Sequence, residues 1–154
     1  LGFQSLTVSF ELKLAQIRDL SKAVDTEMIA YGRLPLMITE NCLVQNETGC
    51  RLDRQGPCVP EDGPCRCGQP NVLVDRTGAA FPLLPAYGHR TEIQNSKPLY
   101  LADRPEHRRL GLAYARLRFT TETAEECVSV VQNYLDAAPA AGDFTRGLYE
   151  RGVE

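Results

Sequence analysis

In the first third of the chain, the hydrophobic pattern changes from the period of a strand to that of a helix and back again. Residues 6–10 alternate apolar and polar, which predicts a strand with one buried face. Residues 13–22 carry apolar side chains at helical spacing, and residues 27–31 predict a second strand that ends at Gly32. Strand, helix and strand in about 30 residues form a βαβ unit, and such units usually place their strands in parallel.

The second half of the chain predicts short strands and one longer helix. Its short apolar runs, separated by Gly, Pro or Asn-Ser, are residues 72–74, 81–84, 91–94 and 99–101. We expect them to form a small, mostly antiparallel sheet. Residues 112–119 predict a further strand, and Thr123 with Glu126 fits a capping box that opens a helix through about residue 135.

That helix has an apolar face, which we expect to be buried in the core. Its members are Cys127, Val128, Val131, Tyr134 and Leu135. This placement gives Cys127 the role of a small buried hydrophobe. The predicted fold class is therefore α/β, with a further α+β region after the first βαβ unit.

Five of the six cysteines fall within residues 42–67, which include a long loop rich in Gly and Pro. Such a loop buries few bulky apolar side chains, so we expect its cysteines to organise it. The density of thiols favours zinc or an iron–sulfur cluster, and a disulfide framework and unpaired thiols are the alternatives. A nucleophilic Cys42 with His89 as base is a further alternative. His107, within a charged stretch, reads as part of a solvated turn.

Charge and composition narrow the classes of partner. The 154 residues carry 17 Lys and Arg against 20 Asp and Glu, a formal net charge of −3. This balance does not favour DNA or an anionic membrane as partner, and no run approaches the roughly 20 apolar residues that span a bilayer. We expect a cytoplasmic protein, and from its first residues, which lack an initiator Met, a piece of a longer polypeptide.

Several segments together resemble the U32 peptidase family, the collagenase-like proteins of bacteria and archaea. The first runs from Tyr31-Gly32-Arg33-Leu34-Pro35-Leu36-Met37 to Thr39-Glu40-Asn41-Cys42. The others are Leu73-Val74-Asp75-Arg76-Thr77-Gly78 with Phe81-Pro82, Asn95-Ser96-Lys97-Pro98-Leu99, Arg116-Leu117-Arg118-Phe119-Thr120, and Phe144-Thr145-Arg146-Gly147. The resemblance touches most of the chain.

The resemblance implies a fold in which a TIM-like barrel is followed by a cysteine region. Residues 1–41 would be the last β/α/β elements of that barrel, 42–70 a Cys-rich metal-binding loop, and 71–154 a small α+β region. The remainder of the barrel domain would be the main partner. Some members are named peptidases or collagenases, and others are implicated in iron–sulfur-dependent hydroxylation of RNA bases or quinone precursors. The parent protein would then be a hydrolase or hydroxylase acting on peptide or RNA, and this piece alone would be inactive.

The resemblance also implies a metal-ligand set. Glu27, Gly32 and Cys42 match the family signature, but Pro35 stands where the family has its first cysteine. His89 stands where related sequences carry a cysteine before an arginine. The implied ligands are Cys42, Cys65, Cys67 and His89, holding zinc or alternatively a 4Fe-4S cluster, with Cys50 and Cys58 as possible replacements.

Two other functions remain open at this point. The chain could be a protein- or RNA-binding module without chemistry of its own, using the arginines Arg104, Arg108, Arg109, Arg116 and Arg118. It could also be a cysteine-dependent peptidase with Cys42 as nucleophile, although no established hydrolase signature is present.

Overall fold

The computed structural model describes residues 2–48 and 66–151. The chain divides into two compact units. We call Leu1–Leu34 with Lys97–Glu154 the mixed unit, and Pro35–Ser96 the antiparallel unit. The sequence predicted three consecutive segments, residues 1–41, 42–70 and 71–154. The mixed unit instead combines residues from the first and the last part of the chain.

The mixed unit is built around one central strand. Its elements are β1 (Ser5–Thr7), α1 (Leu14–Asp19) and β2 (Asp25–Gly32), and later β7 (Leu99–Tyr100), a 3-10 helix (Pro105–Arg109), β8 (Tyr114–Leu117) and α3 (Ala124–Asp136). β2 pairs with β1 and β8 in parallel and with β7 antiparallel. The predicted parallel βαβ unit is therefore confirmed. The expectation that residues 99–101 join the antiparallel sheet is wrong, because β7 pairs with the end of β2.

Two apolar clusters form the core of the mixed unit. The first surrounds Met28 and Ile17, which are fully buried, and also contains Leu99 and Tyr149. The second is aromatic and joins Tyr31, Tyr100 and Val130 with partly buried neighbours. The hydroxyl of Tyr149 donates to the Ile29 carbonyl at 2.8 Å, so this buried phenol is satisfied. Leu6 was expected to be buried but is 55% exposed; it lies on β1, an outer strand of its sheet.

The antiparallel unit is a four-stranded sheet in the order β3-β6-β5-β4. Its elements are β3 (Pro35–Thr39), the short helix α2 (Leu43–Thr48), β4 (Asn71–Val74), β5 (Ala80–Ala86) and β6 (Arg90–Gln94). The predicted antiparallel sheet is confirmed for the last three strands, and β3 is an additional strand. The described residues form two open sheets, so the β/α/β elements do not close into a barrel on their own. Within the same residues, each helix is too short or too polar to cross a membrane.

Candidate metal centre

The register of the antiparallel sheet places three of the predicted ligand segments at one end. Thr39 pairs with Thr91, so β3 ends beside the start of β6. Ala86 pairs with Arg90, so the turn that contains His89 lies at that same end. Asn71, the first residue of β4, pairs with Leu83 in β5, and the chain before Asn71 therefore approaches from the same direction. Cys42, Cys67 and His89 all lie in segments at this end of the sheet.

Cys42 lies in a turn that is tied to β6. The Thr39 hydroxyl donates to the Asn41 carbonyl at 2.5 Å, and the Leu43 backbone N–H donates to Thr91 Oγ1 at 3.0 Å. The Arg90 guanidinium pairs with Glu40 at 2.9 Å. Cys42 itself is buried. Contacts on both sides of Cys42 therefore reach the two residues that directly follow His89.

His89 has an unusual backbone conformation. Its φ is 60°, and Gly88 before it has a φ of 73°. Two successive left-handed residues are typical of tight hairpin turns, where glycine and asparagine are the common choices and a histidine is strained. Such strain persists where the surrounding structure imposes it, and it is concentrated at functional sites. His89 is partly exposed, and its turn lies at the same end of the sheet as the Cys42 segment.

Cys67 lies in an ordered turn before β4 and is partly exposed. The Arg66 carbonyl accepts from the Gln69 backbone N–H at 3.0 Å and from Asn71 Nδ2 at 2.9 Å. The same amide donates to the Gln69 carbonyl at 2.7 Å. Asn71 thus fixes the chain just after Cys67. Cys65, the fourth predicted ligand, and the replacements Cys50 and Cys58 lie outside the described residues.

The donor chemistry of the predicted set fits a metal. Thiolates with one imidazole suit tetrahedral zinc, and histidine also ligates some iron–sulfur clusters. Among residues 2–48 and 66–151, no three His, Cys, Asp or Glu side chains form a group that could hold a metal ion. Cys42, Cys67 and His89, the three described members of the predicted set, therefore do not form such a group. A centre built on Cys42, Cys65, Cys67 and His89 stays a prediction, since Cys65 is not described.

The expected apolar core face of α3 is wrong for most of its members, although Tyr134 is partly buried against the second core cluster. Val128 is 71% exposed and Leu135 is 72% exposed, and Val131 is exposed as well. The buried side chain is Val130, one residue away from the predicted stripe. Cys127 is only partly buried, so its expected role as a core residue is wrong too.

His107 was expected in a solvated turn, but the structure buries it. It lies on the 3-10 helix and lines a cavity of about 340 Å³ between β8 and α3. Burial is the main cause that lowers the pKa of His107 below its usual value. Glu106, Arg108 and Arg109 surround His107 in the sequence. This charged pattern did not indicate that His107 is buried while its neighbours are not.

The arginines proposed for a binding module make contacts within the protein. Arg116 Nε donates to Glu27 at 3.0 Å, and Arg108 donates to the Tyr134 carbonyl at 3.1 Å. Arg104 pairs with Glu150 at 3.3 Å. Sequence reasoning missed these pairings because their partners lie far away along the chain, and it also missed the contacts of Thr39 and Thr91 that support Cys42. Gly88 was the one signal that could have indicated the tight turn at His89.

In comparisons with family models, with curated proteins and with solved structures, the chain matched none of them.

Proposed function

We propose that this chain is the C-terminal, metal-binding part of a U32-family protein, in which Cys42, Cys65, Cys67 and His89 hold zinc or a 4Fe-4S cluster. The observation that carries the proposal is the sheet register, which gathers the segments of Cys42, Cys67 and His89 at one end. The ion pair of Glu40 with Arg90 and the hydrogen bond from Leu43 to Thr91 also support the proposal, because they hold the Cys42 segment next to the start of β6. The metal would mainly hold the Cys-rich loop against the antiparallel sheet.

The weak core of the antiparallel unit supports a structural role for the metal. Three of its hydrophobic side chains are buried among the described residues, namely Cys42, Val44 and Leu83. Its edge strands expose Leu36, Met37, Ile38, Val72, Leu73 and Val74, each between 46% and 58%. Units that cannot bury enough apolar surface commonly rely on a bound metal or on cross-links.

The topology of the mixed unit supports an origin in a truncated barrel. β1, β2 and β8 are parallel, and α1 and α3 follow β1 and β8. Parallel sheets are normally covered on both faces, yet Leu6 and Tyr114 on the outer strands are more than half exposed. The exposed residues Val128, Val131 and Leu135 of α3 are further apolar side chains that a missing part of a barrel would cover. The remainder of the parent barrel would cover these surfaces, and its substrate pocket would lie at the barrel mouth.

Elemental analysis of anaerobically purified protein, with an absorbance scan, tests the metal. We expect zinc, or iron with the absorbance of a cluster. Cys42→Ser should lose the metal, and Cys127→Ser, on α3 of the other unit, is the matched control that should keep it. The absence of zinc and iron, together with a fold that survives chelator, would overturn the proposal.

Two alternative functions lead to different results. A binding module without chemistry would lose partner binding when its arginines are neutralised, but Arg104, Arg108 and Arg116 already contact the protein itself. A cysteine peptidase would lose peptide cleavage in Cys42→Ser while keeping its metal content. The burial of Cys42 does not favour this second alternative, because a reactive thiol is normally accessible to substrate.

A further inference from the structure

A cavity of about 340 Å³ lies within the mixed unit, between β8, α3 and the 3-10 helix. Apolar side chains line most of it, namely Leu112, Ala113, Ala115, Leu117, Val131 and Leu135. Sites for small molecules have volumes of about 300 to 1,000 Å³, mostly apolar walls and a few convergent polar groups. The cavity therefore has the size and the lining of a site for a small ligand with an apolar body.

Hydrogen bonds hold the aromatic walls of this cavity in place. The Tyr134 hydroxyl donates to the Ala30 carbonyl at 2.5 Å and accepts from the Leu101 backbone N–H at 2.8 Å. The Tyr114 hydroxyl donates to Asp25 Oδ2 at 3.3 Å. Both hydroxyls are engaged with the protein, so the two rings are fixed walls. A ligand would meet a preformed cavity and would not have to order these side chains.

Arg108 supplies the positive charge of this cavity. The described residues of the lining contain no Asp or Glu, and burial lowers the pKa of His107, which favours its neutral form. Arg108 Nη2 donates to the Tyr134 carbonyl at 3.1 Å. That bond positions the guanidinium and uses one donor of a group that has several. Because Arg108 is exposed, a ligand can reach the remaining donors.

Two acidic residues flank the lining in the sequence but are not part of it. Glu106 precedes His107, and Asp136 follows Leu135. Both acids are exposed, and Asp136 accepts from Gln132 Nε2 at 2.9 Å. Exposed charges are screened by water and salt, so they oppose a bound anion only weakly. The charge that a ligand meets in the cavity is therefore that of Arg108.

The mouth of the cavity exposes apolar side chains. Tyr114 is 56% exposed, Val131 42% and Leu135 72%. Apolar side chains that are exposed together around a groove mark binding sites more often than ordinary surface. An apolar chain that enters the cavity would cover them.

We propose that this cavity binds a small amphipathic carboxylate, with its apolar chain against β8 and α3 and its carboxylate on the Arg108 guanidinium. A single cation suits a single negative charge, and a carboxylate accepts charge-assisted hydrogen bonds from arginine. The site lies wholly within the mixed unit and needs no metal, so it does not rest on the proposed function. Binding there explains the exposure of Tyr114, Val131 and Leu135 without a missing barrel.

A titration of the full chain with octanoate, followed by amide NMR, tests this site. We expect saturable shifts confined to residues 107–108, 112–117 and 131–135. Octanamide, which has the same chain without the charge, should bind about tenfold more weakly, and acetate, which lacks the chain, should give no saturable shifts. Hexanoate should bind more weakly than octanoate, by about fourfold for each methylene that is lost from the cavity.

Variants separate the charge from the apolar lining. Arg108→Gln should lower the affinity for octanoate by about tenfold and leave that for octanamide unchanged, because only the carboxylate uses the charge. Arg109→Gln, an exposed arginine outside the lining, is the matched control and should bind both probes as the parent chain does. Ala115→Phe should fill the cavity and abolish the binding of both probes.

Three results would overturn the proposal. The first is equal affinity for octanoate and octanamide, and the second is unchanged octanoate binding in Arg108→Gln with a well-dispersed spectrum. The third is a set of shifts at these residues that follows protein concentration and not octanoate, because it would assign the cavity to a second copy of the chain. Metal content measured on the same samples reports separately on the proposed function.

Discussion

The two units of this protein are stabilised by different means. The mixed unit contains both core clusters found among the described residues, with Met28, Ile17 and Leu99 fully buried. The antiparallel unit has four paired strands, but its described residues bury few apolar side chains and its edge strands expose theirs. Apolar burial stabilises at about 25 cal/mol per Å², and the described residues of the first unit bury more apolar side chains than those of the second. The cysteines of residues 42–67 lie in that second unit.

The largest expected effect is at Gly32 in the mixed unit. Gly32→Ala would place a Cβ 2.0 Å from the Arg118 carbonyl oxygen and would require a φ of 118° from an alanine. Since the clash is with backbone, we expect a loss of more than about 4 kcal/mol in the free energy of unfolding. Denaturant unfolding measures this loss.

Gly111 offers the matched control for Gly32. Its φ is 69°, but the nearest atom to an added Cβ is Lys22 Cδ at 3.7 Å, the movable end of a side chain. Gly111→Ala should therefore cost only the backbone strain of about 1 kcal/mol. Equal losses at the two positions would show that the close approach of β2 and β8 is not what holds the mixed unit.

A pair of leucines compares the two units directly. Leu99 is fully buried in the first core cluster, and Leu83 is among the few buried side chains of the antiparallel unit. We expect Leu99→Ala to cost about 3 to 5 kcal/mol and Leu83→Ala a smaller amount, because the neighbourhood of Leu83 is less enclosed. Hydrogen exchange of β2 and β5 amides measures each unit separately. A larger loss for Leu83→Ala would contradict the contrast between the units.

A smaller effect is expected from pH, and it concerns the mixed unit. Burial lowers the pKa of His107 in the folded state, so the unfolded chain takes up the proton first as the pH falls below about 6.5. Stability of the mixed unit should fall from that pH downward, and His107→Gln should remove this step. Urea unfolding at a series of pH values gives the profile.

Asp103 supplies a second, separate step in the same profile. Its two hydrogen bonds from Arg146 are the main cause that lowers the pKa of this carboxyl, so its stabilising contribution is present above about pH 4 and is lost as the pH falls through the folded-state value. Asp103→Asn should flatten only this lower step. If Asp103→Asn also removed the step near pH 6, the assignment of that step to His107 would be wrong.

The sequence predicted local structure better than it predicted which surfaces are covered. Thr123 and Glu126 form the expected capping box, with bonds of 3.3 and 2.7 Å, because capping depends on residues three apart. The pairing of β7 with β2 joins Tyr31 to Tyr100, and the pattern within either strand does not specify it. Of the apolar face predicted for α3, Tyr134 packs against the core but Val128, Val131 and Leu135 are exposed, since periodicity alone does not say what packs against a helix.

The same contrast between local features and long-range contacts applies to the candidate metal site. The cysteine density predicted a metal-binding loop, and the resemblance added His89 to the ligand set. That their segments lie at one end of the antiparallel sheet follows only from the strand register. The left-handed conformation of His89 and the ties from Thr39 and Thr91 to the Cys42 segment depend on hairpin geometry and on residues about 50 positions apart. Such contacts follow from the folded sheet and were beyond what residue spacing indicates.

Hydrogen exchange of the purified chain before and after chelation tests the central claim most directly, that a metal held at Cys42, Cys65, Cys67 and His89 stabilises the antiparallel unit. Elemental analysis of both samples confirms that metal was present and has been removed. We expect the β5 and β6 amides to lose at least about tenfold in protection, about 1.4 kcal/mol, while the β2 amides keep theirs. Unchanged protection in β5 and β6 after the metal is gone, or a purified chain that holds neither zinc nor iron, would contradict the account.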